Sequence, residues 1–210
     1  VPGTAAFNAA NTYSRISIFF NFGTTGAAAG EKTYYFDDIA VGAADGGGGG
    51  GAGDELAVNG GFESGNLDGW TVFENGGSVL PDNTESNGGA WSVHVVAGQG
   101  QNPVLKQANL AIGTVAPGDT IVISFDMKGS TSAGGVIFPE LFSERADGAS
   151  NEILDTIVAP TADWTTYSYS ATAGADVTNG ITFQLGVVCG GVVGCSADVF
   201  IDNVSISIAP

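Results

Sequence analysis

The chain carries 22 Asp and Glu residues and a single His, so carboxylates are its main stock of reactive groups. Cleavage of a glycosidic bond by two carboxyls needs them ~5–5.5 Å apart for retention or ~6.5–9.5 Å apart for inversion. In "FPELFSERADG", Glu140 and Glu144 share a strand face. Four residues at ~3.3 Å each set them ~13 Å apart, too far for either geometry. Asp37 and Asp38 are neighbours and point to opposite faces of a strand. Acyl transfer by a Ser–His–Asp set would rest on His94 alone, and His94 reads as a strand residue in "WSVHVV". No catalytic residue is assigned on this evidence. Cys189 and Cys195 stand close together in "VCGGVVGCS", with no second pair to complete a zinc site. A disulfide across this Gly-rich loop is the preferred reading, and two free thiols the other. The bridge would place the chain in an oxidising, extracellular setting.

These residues need a frame, and the composition describes one. The 210 residues are 43% hydrophobic and only 13% charged, which is not the composition of a disordered chain. Five Lys and Arg against the acids leave a formal net charge of -17. That field repels nucleic acid and anionic membranes, and neutral partners fit it best. No apolar run approaches the length of a membrane span. The first residue is Val, so the chain is expected to be a mature product or a piece of something longer.

Helical periodicity is nearly absent, and strand alternation recurs throughout. In "TIVISFDMKG", Ile121, Ile123, Phe125 and Met127 take one face, with Asp126 and Lys128 on the other. "GITFQLG" sets Ile181, Phe183 and Leu185 against Gln184, and "WSVHVV" sets Val93 and Val95 against His94. "TTYSYSATA" puts Tyr167, Tyr169 and Ala171 together. The segment "APGDT" places Pro117 and Gly118 where a type II turn wants them. Short antiparallel strands at this spacing predict an all-β fold of two packed sheets.

"GAADGGGGGGAGD" breaks the pattern with a run that has no means of burying a core. It sets residues 44–53 apart as a linker between 1–43 and 54–210. The early segment repeats the end of the later one: "TYYFDDIAV" corresponds to "DVFIDNVSI". Residues 1–43 therefore read as the last two strands of an upstream sandwich whose front is missing. A donated hairpin that pairs with another copy is the second reading.

Residues 54–208 resemble the family 4/9-type carbohydrate-binding modules. The motifs are "ELAVNGGFESGNLDGWTVFENGG", "GGAWSVHV", "KQANLAIGTVAPGDTIVISFDMKGS", "DWTTYSYSATAG", "GITFQLG" and "DVFIDNVSI", in that order. The resemblance implies a jelly-roll β-sandwich, non-catalytic and secreted, that holds a polysaccharide near an attached glycoside hydrolase. Residues 1–43 look like the tail of another sandwich module common in secreted proteins of marine bacteria. That association favours a laminarin-like β-1,3-glucan, then xylan or mixed-linkage glucan. The resemblance also implies a structural calcium on Glu63 and Asp202, completed by backbone carbonyls near Gly89 and Ala90. The rival class is a structural repeat of a surface adhesin or filament assembling through the N-terminal hairpin.

A neutral glycan is held by rings against its C–H faces and by a few polar groups that read its hydroxyls. Phe138, Glu140 and Phe142 share one face in "VIFPELFSE". That face is either the core or the ligand platform. Gln184, Lys128, Asp126 and His94 lie on the non-core faces of their strands, and all of these are expected to line one groove. Trp70 and Trp164 match positions that pack structurally in the resembled family, and Trp91 fits either the calcium loop or the groove rim. Many members carry an aromatic in the loop after the "SVHV"-like strand. Here that loop is "AGQGQNPVLKQ", where Gln101 and Asn102 are the available polar contacts.

Overall fold

A computed structural model of the chain describes residues 55–209. The expected remnant at 1–43 and the linker at 44–53 lie outside the described residues. Ten strands and no helix are found among the described residues: β1 (Thr71–Phe73), β2 (Ser78–Asp82), β3 (Ser92–Gly98), β4 (Val104–Leu110), β5 (Thr120–Ser132), β6 (Val136–Glu144), β7 (Ser150–Asp155), β8 (Thr165–Thr172), β9 (Ile181–Val188) and β10 (Ser196–Ile208). They form two five-stranded sheets, the first in the order β1-β4-β9-β6-β7 and the second in the order β2-β3-β10-β5-β8. Every pairing within both sheets is antiparallel. The expected all-β jelly-roll sandwich is therefore the fold.

The alternation in the sequence sets which side chains enter the space between the sheets. Ile121, Ile123, Phe125 and Met127 of β5 are buried there, as are Val93 and Val95 of β3 and Ile181, Phe183 and Leu185 of β9. Tyr167, Tyr169 and Ala171 of β8 pack on the same core. At the turn before β5, Gly118 has φ 88° and Asp119 N–H donates to the Ala116 carbonyl at 3.1 Å, as a type II turn requires.

On β6 the ambiguity between core and platform resolves in one direction. Ile137, Pro139, Leu141 and Ser143 are buried, while Phe138, Glu140 and Phe142 are half-buried on the outer face. One period-two strand cannot send both sets inward. Branched Ile137 and Leu141 fill the core, which leaves the two phenyl rings outside.

Cys189 and Cys195 are joined and buried, and they close the connection between β9 and β10. The rest of that connection carries its side chains outward, with Val192 58% and Val193 83% exposed.

Candidate functional site

The outer face of the first sheet is built from cross-strand rows. Phe73 of β1 stands opposite Val104 of β4, Val104 opposite Gly186 of β9, and Gly186 opposite Phe138 of β6. The adjoining row runs Thr71, Lys106, Gln184, Glu140 and Asp155. Beyond it, Phe142 lies between Thr182 and Glu152. An apolar row thus lies beside a row of amide, ammonium and carboxylate groups. That combination can cover the C–H face of a sugar and read its hydroxyls.

Gln184 donates its side-chain amide to Glu140 Oε2 at 2.6 Å across the β9–β6 pair. The carboxylates on this face crowd one another. Partial burial pushes the Glu152 carboxyl up, and the negative charges of Asp155 and Glu140 push it further the same way. Lys106 enters no salt bridge among the described residues.

Lys128 and His94 do not belong to this surface, and neither does Asp126. They lie on β5 and β3, on the outer face of the second sheet. The expectation of a single groove is thereby corrected: the core of the sandwich separates Phe138, Glu140, Phe142 and Gln184 from Lys128, Asp126 and His94. Correct assignment to non-core faces could not say which of two outer faces each residue occupies, because that depends on strand order.

The groups on the second face satisfy one another. His94 Nε2 meets Asp198 Oδ1 at 2.7 Å, and its ring stacks on Phe200 with centroids 4.2 Å apart and planes 5° apart. Lys128 Nζ pairs with Glu85 Oε2 at 2.7 Å and lies 5.8 Å from the Trp164 ring centre and 5.9 Å from that of Phe200. Trp164 and Phe200 are both half-buried; His94 covers one side of the Phe200 ring, and the Lys128 ammonium lies near both rings.

The loop 83–91 folds across this same sheet and is pinned from below. Asp202, fully buried on β10, accepts from Asn87 N–H at 2.8 Å and Asn203 N–H at 2.7 Å. Asp126 accepts from the side-chain amides of Asn87 and Asn203 at 2.8 Å each, and from the Thr166 hydroxyl. Glu63 accepts from Ala90 N–H at 2.9 Å and from Trp91 N–H at 3.0 Å. Burial raises the Asp202 carboxyl to about 6. The amides of Asn87 and Asn203 oppose that rise, and the charges of Glu63 and Asp126 add to it. The two residues expected to hold calcium thus both clasp one loop. Among the described residues, no three His, Cys, Asp or Glu side chains are gathered as a ready ligand set.

Trp70 is buried against Phe62, its indole N–H donating to the Asn59 carbonyl at 3.1 Å, which is the packing role expected of it. Trp91 is half-buried and packs on the core at the end of the loop, with its ring against Gly65. Gln101 is turned into its own loop, where Oε1 accepts from Gly98 N–H at 2.7 Å. Asn102 gives its carbonyl to the Asn75 side chain at 2.9 Å. The aromatic at that end of the face comes instead from Phe73, 47% exposed on the edge strand β1. Sequence reading missed Phe73, Val104, Lys106 and Gly186. The alternation of "TVF" and "VLK" carries their orientation, but only the pairing of β1 and β4 with β9 brings them beside Gln184.

Comparison with known proteins agrees with this architecture. The model of the CBM_4_9 family, described as a carbohydrate binding domain, matches residues 54–187. No match is found among curated proteins. Among solved structures, the enzymatically active domain of bacteriophage CBA120 tailspike protein 4 superposes with a TM-score of 0.57 at 15% identity, over 73% of this chain and 21% of that one. This chain thus spans about a fifth of that structure. A CBM61 module in complex with β-1,4-galactotriose gives 0.51 at 19% identity, over 73% of this chain and 99% of that one. A xylan-binding domain of family 22 gives 0.51 at 18% identity, over 75% and 96% respectively.

Proposed function

The chain belongs to the CBM_4_9 family of carbohydrate binding domains, which are not catalysts, and we propose that the outer face of its first sheet grips a neutral β-glucan. The observation that carries this reading is the apolar row Phe73–Val104–Gly186–Phe138 lying beside Gln184 and Glu140. The row spans three strand spacings of ~4.8 Å, about 14 Å in all. A chain of sugars lying across the strands would rest its C–H faces on this row and turn hydroxyls to the polar one. A charge of -17 and the crowded carboxyls of Glu140, Glu152 and Asp155 disfavour polyuronates.

A laminarin-like β-1,3-glucan is the first candidate, followed by xylan and mixed-linkage glucan. The preference for laminarin rests on the resemblance of residues 1–43 to modules of marine secreted proteins. Xylan and β-1,4-galactan deserve equal weight in a test, because structural neighbours bind them. The module would act outside the cell, tethering an attached glycoside hydrolase to its substrate. The Cys189–Cys195 bridge is consistent with an oxidising compartment.

Calcium belongs to the same reading. Glu63 and Asp202 would supply carboxylate oxygens, with carbonyls near Gly89 and Ala90. The donor chemistry suits a hard cation. Asp202 is buried close enough to Glu63 and Asp126 for their charges to raise it, and no salt bridge to Lys or Arg among the described residues offsets them. Binding there would require Glu63 to release the amides of Ala90 and Trp91. The ion would neutralise the cluster and hold the loop, with no part in chemistry.

The test is isothermal titration of the full chain, with calcium present, against laminarin, xylan, mixed-linkage glucan, β-1,4-galactan and alginate. Saturable heat with one neutral glycan and none with alginate is the expected result. Silence across the neutral glycans would sink the reading.

A further inference from the structure

The Lys and Arg side chains among the described residues are those of Lys106, Lys128 and Arg145. In a chain with a net charge of -17, carboxylate partners are plentiful. Lys128 pairs with Glu85 and Arg145 with Asp147, both at 2.7 Å. Lys106 enters no such pair among the described residues. Its neighbours on β4, Leu105 and Gln107, are buried, so alternation sets Lys106 on the outer face of the first sheet, where it is half-buried. Glu140 stands in the same cross-strand row two strands away, ~9.6 Å by the strand spacing, and takes the Gln184 amide instead. The ammonium therefore keeps its donors for something other than an acid of the fold.

The row is thus polar from one side to the other. On β4, Lys106 has N–H donors and no acceptor; on β6 and β7, the carboxylates of Glu140 and Asp155 only accept. Gln184, between them, turns its N–H to Glu140. A glycan does not look the same to such a row in both directions. Its hydroxyls donate and accept, but its ring and bridging oxygens only accept. An acceptor-only oxygen is attracted by an ammonium and repelled by a carboxylate. Reversing the chain puts a hydroxyl-bearing carbon where a ring oxygen stood. We propose that Lys106 is a specificity-determining residue: its ammonium donates to a ring or bridging oxygen of a neutral glycan and, with Glu140 opposite, fixes the direction in which the glycan crosses the sheet. This rests on the assignment of the first sheet's outer face as the glycan site.

Lys106→Met keeps an apolar stem and removes the donors, while Lys106→Arg keeps a cation. Each is compared with the unaltered full chain by thermal melting and by titration with laminarin, xylan, mixed-linkage glucan and β-1,4-galactan. The expected result is unchanged melting in both, with affinity for the bound glycan about tenfold lower in Lys106→Met and partly restored in Lys106→Arg. An oligosaccharide of that glycan with a nitroxide at its reducing end reports direction. It should broaden amide NMR signals of the unaltered chain near Thr71 or near Asp155 but not both, and should broaden both in Lys106→Met. Affinity unchanged in Lys106→Met, while Phe138→Ala weakens it, would overturn the role of Lys106 and leave the site standing. A lowered melting temperature in Lys106→Met would make the residue structural and would also overturn it. Broadening at both ends in the unaltered chain would overturn the fixed direction. If the unaltered chain binds none of the four, or Phe138→Ala binds as tightly as it does, the site assignment fails and this inference with it.

Discussion

Gln184 and Glu140 are joined at 2.6 Å across the centre of one outer face, on strands whose other faces bury Phe183 and Leu141 in the core. A rigid sheet therefore holds an amide and a carboxylate in fixed orientation beside Phe138 and Phe142. Removing the amide in Gln184→Ala leaves the core untouched. Stability should change by about 1 kcal/mol or less, since the bond is half-exposed. Glycan affinity should fall several-fold by titration. Equal affinity in the variant would show that Gln184 reads no hydroxyl.

Phe138→Ala and Phe142→Ala test the platform against the core. Both rings are half-buried on the outer side, so each should cost affinity and little stability. Ile137→Ala and Leu141→Ala on the same strand should do the reverse, losing about 2–5 kcal/mol in denaturant unfolding as cavity-forming changes do. A Phe138→Ala variant that unfolds as readily as Ile137→Ala would place the ring in the core after all.

His94→Ala and Lys128→Ala should leave glycan binding unchanged, because the sandwich core separates them from Gln184. Their partners are Asp198 and Glu85, and the loss should appear as a small drop in melting temperature. Weakened binding in either variant would put the ligand on the second sheet.

The buried carboxyl of Asp202 predicts an inverted pH response. Its folded value, about 6, lies above the ordinary 3.8, so the folded state holds the proton more tightly. The stabilisation this gives is present in acid and is lost as pH rises from about 4 through 6, by on the order of 3 kcal/mol. In EDTA the advantage of Asp202→Asn over the unaltered chain should therefore grow across that window. Adding calcium at neutral pH should restore the loss in the unaltered chain and not in the variant. Identical melting in calcium and EDTA at neutral pH would exclude a structural ion there.

Much of this was readable from residue order alone. Ile121, Ile123, Phe125 and Met127 announced a core face because alternation is a local property of a strand. Two nearby cysteines with no second pair to make a zinc site favour a bridge between Cys189 and Cys195, and the structure joins them. What stayed hidden depended on strands distant in sequence. Phe73 and Gly186 are 113 residues apart and meet in one row only because β1 pairs with β4 and β4 with β9. His94 and Gln184 both face outward, and nothing local tells that they face opposite ways.

The central claim is that a neutral glycan lies on the first sheet's outer face. The most direct measurement is titration of the full chain and of Phe138→Ala with the glycan that binds most tightly among laminarin, xylan, mixed-linkage glucan and β-1,4-galactan. The account predicts saturable binding by the unaltered chain and at least about tenfold weaker binding by the variant, with melting unchanged. Binding that is equal in both proteins, or absent from both, would contradict it.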